Sequence, residues 1–445
     1  MGRKYASGRA VVIGGGYAGL VAARALADHF GEVVLVERDH VDADTGVHPS
    51  APQGYHAHAM LARGGELLEQ LFPGLRGELE ADGAPVFDYG LGIDFLLPGG
   101  FAPRQPTGVM IQSFTRDELE RRIRRRVLDL PEVTPMPGTR CEGLLRDASG
   151  RVRGVRYATA GADPEELTAD LVVDASGRTS KLEDWLRADG VAVPPKRVVK
   201  ARVTYTSMNF DRPEDRPADY QIAYQMLFAP EVRQAGVLLA VERGRWTCSL
   251  FAYDDEPPTD DSGYLAFAKG LGNPHLAEQI EQRTVQEPTH RYTNLDNQWR
   301  QYHAVKEWPE RLVALGDAVC VFNPVYGQGL TVAAMGADLL GRMLADRGPE
   351  QGLDGLARAY QRRLARLVLP PWTLSTNSDL MWSPGGQPLA ARIAHWYNER
   401  LLRVSVRDAA VWARFVRVVN MVGSPALLFH PAVALKVLTA PSRGR

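Results

Sequence analysis

The first residues whose types and spacing could do chemistry are three glycines, Gly14, Gly16 and Gly19, in the run Gly14-Gly15-Gly16-Tyr17-Ala18-Gly19. In the pattern G-x-G-x-x-G the first glycine makes a tight turn. The second leaves room for a pyrophosphate against the backbone, and the third lets a helix pack closely on a strand. A helix opening behind such a turn presents free N–H groups and a partial positive charge to phosphates. Glu37 stands 23 positions after Gly14 and is followed by Arg38; its carboxylate can accept hydrogen bonds from a ribose diol. Together these residues predict a dinucleotide site and leave FAD and NAD(P) both open.

Two later stretches have the same character. Asp174-Ala-Ser-Gly177 follows the apolar Leu171-Val-Val, and Leu315-Gly316-Asp317 runs on to Asn323-Pro324-Val-Tyr-Gly327-Gln-Gly329-Leu330. A second Asp-Ala-Ser-Gly, at 147–150, lies between polar strands and reads as a hairpin turn. His56 and His58 fall beside the expected crevice, but no third ligand is in view, so no metal is expected. Neither a Ser/His/Asp arrangement nor a pair of carboxylates is evident.

These residues need elements to hold them. Residues 11–13 and 33–36 read as buried parallel strands around a helix over 18–30. A helix is expected over 57–72, with Met60, Leu61, Leu67, Leu68 and Leu71 on its buried side. Thr115-Arg116-Asp-Glu118 resembles a capping box opening an arginine-rich helix, whose arginines read as a solvated face. Strands over 141–145 and 151–157 flank the first hairpin. From 198 to 292 the period changes to that of an antiparallel sheet, interrupted by helices near 262–271 and 273–281. Such a sheet beside a dinucleotide domain is a natural roof for a substrate cavity, and Tyr205, Tyr224, Phe228 and Trp246 are candidates to line it. Alternation equally allows each of these four to be core. A helix follows from 330 to about 346. Residues 355–438 read as an amphipathic helical layer with breaks at Pro370-Pro371 and Pro384.

Composition narrows the class. At 445 residues the chain exceeds one ordinary domain. A net charge of −1 gives no electrostatic case for nucleic acid or an anionic membrane. Cys141, Cys248 and Cys320 lack metal-ligand spacing and fit a reducing compartment. With no room for a signal peptide and no apolar run long enough to span a bilayer, a cytoplasmic enzyme without membrane insertion is expected.

The order of the three cofactor stretches resembles the single-component flavoprotein monooxygenases of the para-hydroxybenzoate hydroxylase fold. Within them it is similar to the FAD-dependent olefin epoxidases of bacterial polyketide pathways, relatives of squalene epoxidase. The stretches that suggest this branch are Pro52-Gln with His56-Ala-His58, and Asn323 to Gly329. The resemblance covers most of residues 8–345. It implies an α/β fold: a Rossmann-like FAD-binding domain (1–85, 113–195 and 301–347), a β-sheet substrate domain (86–112 and 196–300) and a helical C-terminal region (348–445).

The resemblance also implies roles. Gly14, Gly15, Gly16, Tyr17, Ala18 and Gly19 would cradle the pyrophosphate, and Glu37 with Arg38 would meet the adenosine ribose. Arg116 would stand against the FAD, and Asp174 and Gly177 would border it. Asp317 would bind the ribityl or pyrophosphate region. Pro324 would lie near the isoalloxazine ring, with the N–H groups around Gly327, Gly329 and Leu330 at its N1–C2=O edge. Reduced FAD would activate O2 as a C4a-hydroperoxide that epoxidises or hydroxylates an apolar polyene or polyketide-type small molecule. NADPH or NADH would be the reductant, directly or through a separate flavin reductase. Many family members have Asp-Gly contiguous at the second stretch, whereas here Ala-Ser separates Asp174 from Gly177, which bears on direct reduction. The Trp-x-Trp-x-Ile-Pro signature of flavin halogenases is absent. A redox-neutral [4+2] cyclase that keeps FAD structurally, or a flavin-dependent dehydrogenase or reductase, would use the same fold.

Overall fold

The apolar run 11–13 ends the strand Tyr5–Ile13, which passes through the glycine turn into the helix Tyr17–Ala27 and the strand Phe30–Val36. A computed structural model describes residues 5–44, 48, 54, 56–213, 218–283, 287–293, 295–347, 351–382 and 386–440. The helix stops at Ala27, three residues short of the expected end. Phe30 instead opens the next strand, fully buried and stacked on Tyr5 at 5.3 Å. Five parallel strands form the central sheet, in the order Leu312–Ala314, Leu171–Asp174, Tyr5–Ile13, Phe30–Val36 and Val133–Met136. Ile13 pairs with both Val36 and Asp174, and Asp174 pairs with Ala314. The C-terminal strand ends therefore lie side by side, at the edge where open parallel sheets bind ligands.

The expected sheet region forms a seven-stranded sheet. Its order is His290–Tyr292, Val203–Asp211, Arg245–Tyr253, Gln234–Val241, Ile222–Gln225, Ile93–Leu97 and Gly100–Phe101. All pairings are antiparallel except that of Ile222–Gln225 with Ile93–Leu97. The helices Asp261–Lys269 and Pro274–Glu281 cover one face, burying Met208, Phe210, Trp246, Cys248 and Leu250 against Tyr264 and Leu276. The hairpin at 147–150 is as expected: Asp147 accepts from the backbone N–H groups of Ser149 and Arg151, between antiparallel strands Thr139–Arg146 and Val152–Thr159.

Three local expectations fail for tertiary reasons. The segment expected as one helix over 57–72 is a strand, His58–Met60, followed by the helix Ala62–Leu71. The strand pairs with Met110–Phe114, and that ladder outweighs the helical spacing of Met60. Pro370 and Pro371 do not break their helix, which runs unbroken over Leu356–Leu380. An interior proline costs about 3 kcal/mol, but this helix buries Leu364, Val368 and Trp372 on one side, each worth about 1.5–3 kcal/mol. The arginine-rich helix, Arg116–Leu128, is not a solvated face: Arg124 is 1% exposed, and Arg121 and Arg122 bind Glu118. Thr115 caps it at Glu118 N, but the reciprocal bond of a capping box is absent because Thr115 N donates to Glu242. Pro52, Gln53 and Pro384 lie outside the described residues.

The C-terminal helices Leu356–Leu380, Leu389–Ser405, Ala409–Val419 and Pro431–Thr439 join the same cores as the rest of the chain. Asn420 accepts from Ala62 N and Arg63 N, and so satisfies the start of the helix Ala62–Leu71. Trp412 is 1% exposed and meets Phe95 of the seven-stranded sheet at 5.9 Å. Trp412→Ala should destabilise the protein by about 3–5 kcal/mol. A thermal or urea midpoint unchanged from the parent would show that this layer does not share the sheet's core.

Candidate functional site

The glycine turn is built by close backbone approach. Gly14 has φ +103°, and a Cβ there would lie 2.7 Å from Ala175 O. A Cβ on Gly19 would lie 1.7 Å from Gly14 O, which only glycine avoids. Gly16 differs, because nothing lies within 4 Å of its Cβ position. The space above it is open to the cleft. Gly15 sits beneath the turn, donating its N–H to Glu37 Oε2 at 2.6 Å. Glu37 Oε1 accepts from Asp39 N at 2.7 Å. Burial opposes the charge on Glu37, but hydrogen bonds from His48, Asp39 N and Gly15 N outweigh it and hold the carboxyl below its usual value.

A cleft of about 670 Å³ runs from this turn along the strand ends. Of the expected residues, Gly14, Gly16, Tyr17, Ala18, Glu37, Arg38, Arg116, Gly177, Tyr205, Asp317, Pro324, Gly327, Gly329 and Leu330 line it. Asp174 does not. It is fully buried, accepting from Ser176 N (3.0 Å), Ser176 Oγ (2.5 Å) and Ser180 Oγ (2.6 Å), so it shapes the turn that presents Ser176 and Gly177. At the far end the helix Gly329–Asp346 opens into the cleft with nothing within 4 Å of the Gly329 Cβ position. Before it, Asn323 Oδ1 accepts from Val325 N and caps the turn Pro324–Tyr326.

Three of the four candidate substrate residues lie outside the lining of this cleft. Trp246 is fully buried on the helix-covered face of the sheet, with Arg212 over its ring. Tyr224 and Phe228 belong to the core shared with the C-terminal helices, where they meet Phe95 (4.6 Å) and His395 (4.9 Å). Tyr205 points the other way and packs with Phe251, Tyr292 and Val325.

His58 lines the cleft, and its ring is pushed down to about 3 by burial and then by Arg116. His56, behind it, is pushed down to about 3 by burial and His290, and meets Ser207 Oγ at 2.7 Å. Both rings are neutral throughout the physiological range. Glu37, Asp39 and His48 bring their ligand atoms within 4.8 Å of one another. Both Glu37 oxygens already accept backbone N–H groups, and we assign no metal there.

The charge of the cleft suits an anionic dinucleotide. Arg38, Arg116, Arg140, Arg178 and Lys181 line it against Glu37 and Asp317. Arg116 is partly buried, which disfavours its charge, but Glu120 at 2.5 Å more than compensates. Burial lifts Asp317 above the usual carboxylate value although Arg116, Arg178 and Arg300 oppose the shift. Arg178 and Arg300 carry no motif and escape a reading by spacing. Arg300 binds the carbonyls of Asp317, Ala318 and Arg178, and so ties the second cofactor stretch to the third. The open space above Gly16, the helix start at Gly329 and an unpartnered buried acceptor, Gln328 Oε1, fit FAD.

Comparison with known proteins agrees. The FAD binding domain family matches residues 8–368. Protein Rv3254 of Mycobacterium tuberculosis (strain ATCC 25618 / H37Rv) is 31% identical over 386 residues, covering 83% of this chain and 80% of that one. Kynurenine 3-monooxygenase of Salinispora tropica is 24% identical over 340 residues, 73% of this chain and 70% of its own length. Among solved structures, the flavin-dependent brominase Bmp2 shares the fold with a TM-score of 0.64 at 14% identity, over 92% of each chain. The Diels-Alderase PyrE3 does so with a TM-score of 0.58 at 18% identity, over 93% of this chain and 80% of that one. With its dinucleotide cleft and a family match that takes in all three cofactor stretches, the chain belongs to the FAD-binding-domain family of flavin-dependent monooxygenases.

Proposed function

We propose that the enzyme transfers one atom of O2 to an apolar, electron-rich small molecule of natural-product type, by epoxidation of an alkene or hydroxylation of a ring. The observation that supports this reading is the junction of two surfaces. The turn Pro324–Tyr326 closes the FAD cleft, and its Val325 packs into the apolar cluster of Tyr205, Phe251 and Tyr253 on the seven-stranded sheet. A substrate held against that cluster would be presented to the flavin end of the cleft by surfaces that exclude water.

In this reading Gly14 to Gly19 and Arg38 hold the pyrophosphate and adenosine end, with Glu37 on the ribose. Arg116, Gly177 and Asp317 hold the middle, and Pro324, Gly327, Gly329 and Leu330 border the ring. When bound, FAD supplies the electrons and the oxygen activation. The chain's own part is to bind, orient and shield. The helix start at Gly329 offers N–H groups to negative charge on the cofactor, and His58 adds no positive charge because burial keeps it neutral. NADPH or NADH is the proposed electron source, reaching the flavin directly or through a separate reductase.

Gly16→Val should fill the open space above the turn and abolish flavin retention while the apo-protein stays folded by circular dichroism. A folded, fully yellow variant would place the cofactor elsewhere. For the reaction, the flavin band should bleach with NADPH under anaerobic conditions and return with air. With isotopically labelled O2 and a polyene substrate, the product should gain one labelled oxygen atom. A product of unchanged mass, formed with the flavin oxidised throughout, would identify a cyclase instead.

A further inference from the structure

We propose that Asp379, on the long C-terminal helix Leu356–Leu380, is a positioning residue for the flavin. Its buried carboxylate gathers Asn297, Asn323 and Tyr326 and so fixes the turn through which the chain enters the helix at Gly329. The inference rests on the reading that FAD occupies the cleft.

Asp379 is 1% exposed, and the three groups that donate to it are neutral. Asn297 Nδ2 reaches Oδ2 at 2.6 Å. Asn323 Nδ2 reaches both oxygens, at 3.1 and 3.2 Å, and the Tyr326 hydroxyl reaches Oδ1 at 3.2 Å. The direction of the amide bonds is set by the other contacts of the two asparagines. Asn297 Oδ1 accepts from Ser375 Oγ (2.7 Å) and Asn323 N (2.8 Å), and Asn323 Oδ1 accepts from Val325 N (3.2 Å). With both amide oxygens engaged, both NH2 groups must face Asp379. An ionised carboxylate accepts all of these bonds; a carboxamide would set its own NH2 against one of the donors, and a carboxylic acid keeps the amide bonds only by turning its proton onto the Tyr326 hydroxyl and losing that donor. The partners lie on two separate segments: Asn297 on the strand Asn297–Arg300, Asn323 and Tyr326 on the turn before Gly329. The carboxylate is the point at which the C-terminal helix holds both.

Burial works against that charge. It pushes the Asp379 carboxyl up to about 7, the amides and phenol pulling it back only in part. Asp296 faces it with like charge, and the Tyr253 phenol, itself beside Arg202 and Arg233, feels it from the sheet. The sign of the pH effect follows. A carboxyl raised above its unfolded value adds global stability in its neutral form, lost as pH rises through about 7. Only the ionised form accepts from all three donors of the turn and its neighbouring strand together. Falling pH should therefore leave the fold as stable or more so while it loosens the turn, and a purely structural role would move the two together.

The experiment measures FAD affinity of the reconstituted full-length protein by flavin fluorescence at about pH 6 and about pH 8, with thermal midpoints of the apo-protein at each pH. The wild type should bind FAD about tenfold more weakly at the lower pH, the worth of one charge-assisted hydrogen bond, with no fall in the apo midpoint. Asp379→Asn should bind weakly at both values and lose the pH dependence. Tyr326→Phe, which removes one donor and keeps the ring, should show a smaller loss and serves if Asp379→Asn does not fold. Wild-type affinity that is flat with pH, or an Asp379→Asn variant that binds like the wild type, would overturn the inference while leaving the FAD site intact. A wild type that binds no FAD would overturn the reading of the cleft, and this inference with it.

Discussion

A Cβ on Gly19 would sit 1.7 Å from the carbonyl oxygen of Gly14, so the first helix can leave the sheet at this angle only with glycine there. The other two cofactor stretches lean on the same few atoms. The Gly14 Cβ position is 2.7 Å from Ala175 O in the second stretch. That of Gly316, at φ +63°, is 2.7 Å from the Ala18 side chain on the first helix. Three segments far apart in the chain thus meet in close contact around one turn. Gly16, with empty space above it, is where that packing stops and the cleft begins. Side chains larger than hydrogen would part the segments, and the charged groups they carry would no longer share one pocket.

What those segments bring together is mostly positive charge, and it needs restraint. Five cations line the cleft against two carboxylates, and unpaired guanidinium groups in a half-buried pocket are costly. Arg116 is balanced by Glu120 from its own helix, one turn on. Arg300 is consumed by three carbonyls. The arrangement keeps a net positive surface for a dinucleotide while the deeper guanidinium groups spend their charge on the wall itself.

Much of this was legible from spacing. The first glycine turn, Glu37 and the Gly329 helix start are local patterns in which each residue type has one steric or electrostatic reason to be there, so the sequence shows them directly. The substrate face was not legible, because a strand's alternation names two faces without saying which one meets the cofactor. Tyr205 and Trp246 stand on neighbouring strands in opposite parities: one looks to the cleft and the other to the helices Asp261–Lys269 and Pro274–Glu281. Only the placement of those two helices decides between them. Met60 shows the same limit. Its spacing suits a helix, but a partner strand 50 residues on claims it. Asp174 shows another. Its position after a buried strand suggests a ligand contact, whereas its carboxylate is used up on its own turn.

The C-terminal helices, most of which lie beyond the family match at residues 8–368, pack against the segments that build the site. Trp382, just past the long helix, stacks on Tyr253 at 4.1 Å and joins the apolar cluster that holds Val325. Trp372, on that helix, meets Trp299 at 5.5 Å, on the strand that carries Asn297 and Arg300. Oxygen transfer from a flavin needs a dry, shaped space, and glycine turns that must admit a dinucleotide cannot provide it. The long helix packs behind the turn and strand that border the cleft, and it keeps its course through Pro370 and Pro371 because its buried face is engaged along that length. Spacing marks these helices as an amphipathic layer, but which segments their apolar faces join is set only by the packing.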